Sequence, residues 1–336
     1  MRVLITGAGG FIGRHLVADQ LRRGHEVTAV DLHVEALEPL ASNPRLCVLQ
    51  GDFRDASLLD RHLSGQDVCF HLASAHLETG VDADHFWHVN VDGALSFAER
   101  CRHAGVRRFV HCSSVGVYGD ISNPPADETT ECQPDIAYEK SKLAGEEVVL
   151  AFARKSGFAL TVVRPAWVYG PGCPRTEKLF RAIKKGRFFF VGNGRTLRHA
   201  IYIDDMVRAF AVAAAHESAV HDVFIIAGPR ATTLHELAAE IARVAGVAPP
   251  KLRIPRALVW PGCYLLELTY SALGKEAPFT RRSLKFFTGN TAFSTTKAER
   301  LLGFRAEVDL AQGLEQTYRV ISVQANDDEG VVTATN

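Results

Sequence analysis

The sequence predicts a doubly wound α/β fold on three observations. Short apolar runs alternate with helical periodicity through the first half of the chain. The runs read as buried strands, and buried strands alternating with helices imply parallel pairing through right-handed crossovers. A glycine-rich turn follows the first run and opens the first helical stretch.

Residues 2–6 form the first predicted strand. A helical pattern covers 11–23 and ends at Gly24. Strands follow at 26–30, 46–50 and 68–72, then an amphipathic stretch at about 84–103. A strand at 109–113, a helix at 138–156 and a strand at 159–164 complete the first half. After Pro165 the rhythm loosens. Gly and Pro cluster at 170–174, basic residues at 181–187, and one more strand reads at 222–226. Thr233 and Glu236 make a capping box: the Thr hydroxyl takes the third residue's N–H and the Glu reaches back. The expected organisation is a first domain over 1–170, to which 198–227 returns, and a smaller, mostly helical second domain over 171–322. The polar, aperiodic segment 323–336 reads as a disordered tail.

Lys+Arg and Asp+Glu balance at 38 each, so no global basic field advertises nucleic acid as a partner. Seven dispersed cysteines with no CxxC pair fit reduced thiols in a cytoplasm better than a disulfide framework or a zinc site. The histidines form no HExxH-like pattern; His85 and His88 read as an exposed helix face, and no metal is expected. No signal peptide is read at the start. The longest apolar window, 257–268, is shorter than the ~20 residues a spanning helix needs and contains Pro261 and Glu267. No stable membrane insertion is expected.

In "TGAGGFIG" at 6–13, Gly7, Gly10 and Gly13 follow a strand and open a helix. Glycine permits the tight turn and the close approach of backbone to a pyrophosphate, and the helix N-terminus offers free N–H groups to the phosphates. Asp31 ends the second strand, where its carboxylate would accept hydrogen bonds from an adenosine ribose and repel a 2′-phosphate. Leu32 and His33 follow, with no Arg to bind that phosphate. This Rossmann-type reading therefore favours NAD over NADP. The alternative for Asp31 is a plain strand-end cap.

The Gly-x-x-Gly-x-x-Gly spacing resembles the extended short-chain dehydrogenase/reductases, which include the NAD-dependent epimerase/dehydratases. The resemblance continues over about residues 1–320. It implies that Phe11 and Ile12 join the glycines at the cofactor, that Asp52 of "GDFRD" meets the adenine beside Phe53, and that Leu72 and Ala73 of "HLAS" pass under it. It further implies that Asn90 of "NVDG" props up the active site and that Pro165 of "RPAWVYGPG" borders the cofactor at the turn into the substrate domain. "SSVGVYG" maps the catalytic serine onto Ser114, and "YEKSK" supplies Tyr138 and Lys142. A homodimer through the helices near 84–103 and 138–156 is implied in the same way.

Tyr138 and Lys142 are four apart, hence stacked on one helix face. Free tyrosine, with a pKa of about 10, is a poor base at neutral pH. A neighbouring ammonium and a positive nicotinamide are expected to favour the phenolate. Ser114 would donate to the substrate oxygen, and Tyr138 would take or give the hydroxyl proton as a hydride moves. The resemblance gives Lys142 the nicotinamide ribose as well.

Three functions compete. The first is a nucleotide-sugar 4-epimerase, similar to UDP-glucose 4-epimerase: Arg198 of "LRHAIYIDD" resembles the Arg that binds the substrate diphosphate, a task suited to paired charge-assisted hydrogen bonds. Asp204 and Asp205 could pair at a metal in principle, but read as caps of a helix beginning at Met206. Two departures count against it. Trp167 stands where those enzymes commonly carry Asn, and Arg281 and Arg282 are out of register for a second diphosphate-binding Arg. Dehydratase and decarboxylase chemistry fits less well, because Val115 and Gly116 stand where a Glu would be needed. The second is a 3β-hydroxysteroid dehydrogenase-like oxidoreductase of an apolar alcohol or ketone. Trp167 and 257–268 would line its pocket, although domain packing or a dimer contact explains 257–268 equally well, and weak membrane-surface association is a lesser possibility. The third is a non-catalytic NAD-binding sensor, which would not need the tyrosine.

Overall fold

The computed structural model describes residues 1–76, 82–272 and 281–333. The first half supplies β1 (Arg2–Thr6), α1 (Phe11–Arg22), β2 (Glu26–Asp31), β3 (Leu46–Gln50), α2 (Ala56–Leu63), β4 (Val68–His71), α3 (Ala83–Trp87), α4 (Ala94–His103), β5 (Arg108–Cys112), α5 (Ala137–Ser156) and β6 (Leu160–Pro165). Then follow β7 (Trp167–Tyr169), α6 (Pro174–Lys184), β8 (Phe190–Val191), β9 (Leu197–Arg198), β10 (Ala200–Tyr202), α7 (Ile203–Ala215) and β11 (Val223–Ile226). The remainder holds β12 (Thr232–Thr233), α8 (Leu234–Val244), β13 (Arg253–Ile254), α9 (Arg256–Ala272), α10 (Arg281–Thr288), α11 (Thr296–Leu302) and α12 (Leu310–Thr333).

Seven strands form one parallel Rossmann-type sheet in the order β3-β2-β1-β4-β5-β6-β11. The strand order reverses at β1, which pairs with both β2 and β4, and such a switch point opens a crevice at the carboxyl ends of the strands. Successive side chains of β1 feed opposite faces. Val3 and Ile5 join Leu16 and Val17 of α1 and Phe210 of α7; Leu4 joins Leu59, Phe97 and Phe109. Covering both faces is why these strands are apolar throughout.

Helix α5 matters most for the site. Its inward face carries Ser141, Lys142 and Glu146 among apolar residues, all buried. Buried charge needs partners. Arg164 of β6, itself buried, donates from Nε and Nη2 to Glu146 (3.0 and 2.5 Å) and from Nη1 to the Tyr118 hydroxyl (2.6 Å). The same guanidinium lies 4.9 Å over the Tyr118 ring. On the flank of α5, Gly145 lets it meet a π-helical turn, His88–Gly93, that joins α3 to α4; a Cβ at 145 would sit 2.0 Å from the Asn90 carbonyl oxygen.

The capping box at Thr233 and Glu236 is present. The amphipathic stretch at 84–103 is helical but interrupted by the π-turn. Helix α12 extends to Thr333, through most of the segment expected as a disordered tail, because propagation adds a hydrogen bond per residue beyond a start anchored by Leu314. The side chains of Arg281 and Arg282, residues 277–280, and 334–336 lie outside the described residues. Among the described residues, no helix is long and apolar enough to cross a membrane.

Replacing Arg164 by Met should cost about 3–5 kcal/mol, because Glu146 then stays buried without its partner. Urea unfolding of Arg164→Met against the double variant Arg164→Met/Glu146→Leu checks this: most of the lost stability should return in the double variant.

Candidate active site

A cleft of about 1190 Å³ lies over the switch point. The glycine turn forms its floor. Gly7 has φ +71°, and a Cβ there would stand 2.5 Å from the Ala73 nitrogen. A Cβ at Gly13 would stand 2.0 Å from the Gly7 carbonyl oxygen, so α1 can begin this close only with glycine. Gly9, which the sequence reasoning passed over, is as constrained: a Cβ there would lie 1.9 Å from the His33 carbonyl oxygen. Its N–H donates to Asp31 Oδ2 (2.8 Å), while Asp31 Oδ1 accepts from the His33 N–H (3.1 Å). Asp31 is thus cap and cleft wall together.

Gly7, Gly10, Phe11, Ile12, Gly13, Asp31, Asp52, Phe53, Leu72, Ala73 and Pro165 all line this cleft. Arg54 clasps Asp52 through Nε and Nη2 and holds its carboxyl below the usual range. The cradle left by the missing Cβ atoms at Gly7 and Gly13, with the Asp31 carboxylate at its rim, fits a dinucleotide. Asn90, expected to prop up the site, sits behind the cleft rather than in its lining. It is buried in the π-turn outside the cleft lining, accepting from the Ala75 N–H (2.9 Å) and donating to the Ala75 carbonyl (3.1 Å) and the Ser141 hydroxyl (2.9 Å). It braces the cleft wall against α5.

Ser114, Tyr138 and Lys142 meet at the centre. The Ser114 hydroxyl accepts the Gly116 N–H (3.0 Å) at the start of a 3-10 turn. Lys142 is buried, and its Nζ donates to the Cys112 carbonyl (2.6 Å). Burial lowers its pKa, against the pull of Cys112 and Glu146. For Tyr138 the electrostatics depart from expectation. Burial pushes the phenol well above its ordinary value; Arg175 and the Ser114 hydrogen bond pull the other way without prevailing. Desolvation is the largest effect on the phenol, and the Lys142 ammonium is directed at the Cys112 carbonyl.

The second half of the chain closes the cleft. Trp167 lines it and stands edge-on to Phe286 of α10 (centroids 6.2 Å, interplanar 86°). Arg198 does not line it. Its guanidinium is buried, lies 5.0 Å over the Phe286 ring, and donates to the Leu197 and Gly289 carbonyls (2.6 Å each). Arg175, near the N-terminus of α6, is one of the basic groups lining the cleft, with Nη2 3.4 Å from His76 Nε2; the His76 ring stands edge-on to Tyr138 at 4.8 Å. His199 also lines the cleft. Its Nδ1 accepts the Phe293 N–H (3.2 Å), so its proton sits on Nε2, which donates to the Gly228 carbonyl (2.8 Å). Sequence spacing gave no signal for His76, Arg175, His199 or Phe293, which only tertiary folding brings together. Among the described residues, no group of His, Cys, Asp or Glu could hold a metal ion.

Beneath the cleft, His71 and His111 lie 5.5 Å apart in adjacent strands. His71 bonds the Thr6 hydroxyl through Nδ1 (2.7 Å). Burial, helped by the Lys142 charge, pushes its pKa down to about 3 and lowers that of His111 as well.

The model of the NAD-dependent epimerase/dehydratase family matches residues 3–227. Over 332 residues the chain is 28% identical to the N-acetyl-alpha-D-glucosaminyl-diphospho-ditrans,octacis-undecaprenol 4-epimerase of Escherichia coli O157:H7, with 97% of each chain covered. It is 30% identical over 332 residues to the 3 beta-hydroxysteroid dehydrogenase/Delta 5-->4-isomerase of Mycobacterium tuberculosis H37Rv, covering 94% of this chain and 89% of that one. The solved UDP-glucose 4-epimerase of Thermotoga maritima with UDP-glucose superposes with a TM-score of 0.79 at 26% identity, over 97% of this chain and 100% of that one.

Two outcomes follow from this geometry. Gly13→Ala should weaken NADH binding by roughly ten- to a hundredfold, read by fluorescence titration, because its Cβ meets backbone that cannot swing away. Acid should destabilise the fold through His71. Its folded pKa lies below the unfolded 6.5, so as pH falls below 6.5 only the unfolded chain gains this proton, and stability drops progressively toward pH 3. The loss from this group by pH 4 is on the order of 3 kcal/mol. His71→Gln should flatten the stability profile between pH 6 and pH 4 in urea titrations run at each pH, and an unchanged slope would refute this.

Proposed function

The chain belongs to the NAD-dependent epimerase/dehydratase family, and from that premise we propose that it is a 4-epimerase of a diphosphate-linked sugar, acting by reversible hydride transfer at a carbinol carbon. The observation that carries this reading is the meeting of the Ser114 hydroxyl, the Tyr138 phenol and the buried Lys142 ammonium beside the glycine cradle. The match to an epimerase over 97% of each chain supports it.

Gly7, Gly9, Gly13 and Asp31 hold the dinucleotide in this proposal, and Asp52 bounds the adenine end. NAD supplies the hydride acceptor and, when oxidised, a positive charge beside the phenol. Ser114 donates to the substrate oxygen. Tyr138 takes the hydroxyl proton on oxidation and returns it on reduction. Lys142, fixed by the Cys112 carbonyl, faces the ribose and keeps positive charge next to the reacting pair. Arg175 is the cleft cation placed to meet a substrate anion, the task the sequence assigned to Arg198. The proposal includes a homodimer through α4 and α5 and a cytoplasmic setting, the latter supported by the free state of all seven cysteines.

A second reading, oxidation or reduction of an apolar alcohol or ketone, is favoured by one feature. Trp167 and Phe293 line the substrate end while Arg198 stays outside it. Retained cofactor separates the two. Protein purified without added nucleotide should release stoichiometric NAD on denaturation if it is an epimerase, because a redox-neutral cycle regenerates its cofactor in place. An empty site that takes up NADH reversibly would favour the dehydrogenase.

Tyr138→Phe should lower kcat by about a hundred- to ten-thousandfold while NAD content is kept; an undiminished phenotype would instead indicate a non-catalytic sensor. Because burial raises the Tyr138 phenol, its base form becomes more available as pH rises. Single-turnover oxidation should therefore quicken from pH 6 toward pH 9, and Tyr138→Phe should lack that slope.

A further inference from the structure

We propose that the outer face of α9, with the strand leading into it, docks on an anionic lipid surface. Of nine large hydrophobic side chains exposed among the described residues, four (Leu252, Leu258, Trp260 and Tyr264) fall within 252–264. Single exposed hydrophobes are ordinary, but such a concentration marks an interaction surface. The helix turns Val259 and Cys263 inward. It turns Trp260 and Tyr264, one helical turn apart, outward at 57% and 45% exposure, with Leu258 at 66%.

The charge around this face selects its partner. Lys251, Arg253 and Arg256 are exposed, and the first acidic residue after them in the chain is Glu267, in the C-terminal half of α9. Basic residues flanking Leu, Trp and Tyr make the combination that settles at an anionic headgroup boundary: aromatic rings at the interface, apolar side chains below, cations on the phosphates. A second copy of the chain would bring the same cations to an isologous contact and meet repulsion. The helix lies on such a surface rather than through it, since no helix among the described residues can cross a membrane.

The position of this face connects it to the cleft. Helix α9 packs on α10, and Arg256 Nη2 donates to the Thr288 carbonyl (3.1 Å) to hold them together. Phe286 of α10 supports Trp167 at the substrate end. A docked α9 would therefore set the cleft mouth near the headgroups. If the function proposed above holds, a diphosphate-linked sugar carried by a membrane lipid would be met there; docking itself does not depend on that reading.

Flotation with vesicles tests the proposal without reference to turnover. The full chain should float with vesicles of phosphatidylcholine and phosphatidylglycerol at low salt, should not float with phosphatidylcholine alone, and should be released by high salt. Leu258→Glu/Trp260→Glu should reduce the bound fraction roughly tenfold or more, and Lys251→Glu roughly fivefold, with unfolding midpoints unchanged. Failure to float with phosphatidylglycerol vesicles, or flotation indifferent to both variants, would overturn it. So would a dimer in sedimentation that Leu258→Glu/Trp260→Glu abolishes, because the face would then be covered by a second copy.

Discussion

The site depends on the ion pair between Arg164 and Glu146. Helix α5 carries Tyr138, Lys142 and Glu146 at four-residue spacing, so one stripe holds two groups that line the cleft and the anchor below them. Arg164 belongs to β6, whose last residue, Pro165, borders the cleft. Its third donor reaches Tyr118, at the end of the turn that Ser114 begins. One guanidinium thus fixes three segments that must agree in position: the strand, the helix carrying Tyr138 and Lys142, and the turn that Ser114 begins. Desolvating such a pair is costly and is compensated only by good geometry. Here the bidentate contact and the tyrosine hydroxyl provide that geometry.

The end of the cleft at Trp167 is built differently. It has an aromatic wall, Trp167 on Phe286, with the Arg198 guanidinium packed on the second ring. A cation stacked on a ring contributes through dispersion and its field rather than through paired hydrogen bonds to a ligand. Arg198 therefore serves the wall, while Arg175 of α6 is among the cations that line the cleft.

The first half of the fold was legible in the sequence because its signals are local. Buried strands, helical periodicity and a glycine turn specify a parallel sheet with little tertiary information, and each strand began and ended within one residue of its expected place. Gly7, Gly13, Asp31, Ser114, Tyr138 and Lys142 were legible as a set because their spacing follows the order of those elements. The phenol's electrostatics were not, since spacing shows that Lys142 is near but not where its ammonium points. The surroundings of Arg198 were not legible for a related reason: its position in the sequence does not show that its guanidinium packs on Phe286 of α10. The short strands β7 to β10 escaped notice because two or three residues carry no periodicity.

Asp31 has a consequence for changing the cofactor. One of its oxygens holds the Gly9 amide and the other the His33 amide, so the group that would discriminate between nucleotides also shapes the turn that cradles their phosphates. Preference and architecture are a single trait at this position. A lineage drifting toward the phosphorylated cofactor could not exchange this aspartate alone. It would first have to give the freed amides of Gly9 and His33 new acceptors, and an intermediate lacking them would hold neither cofactor well.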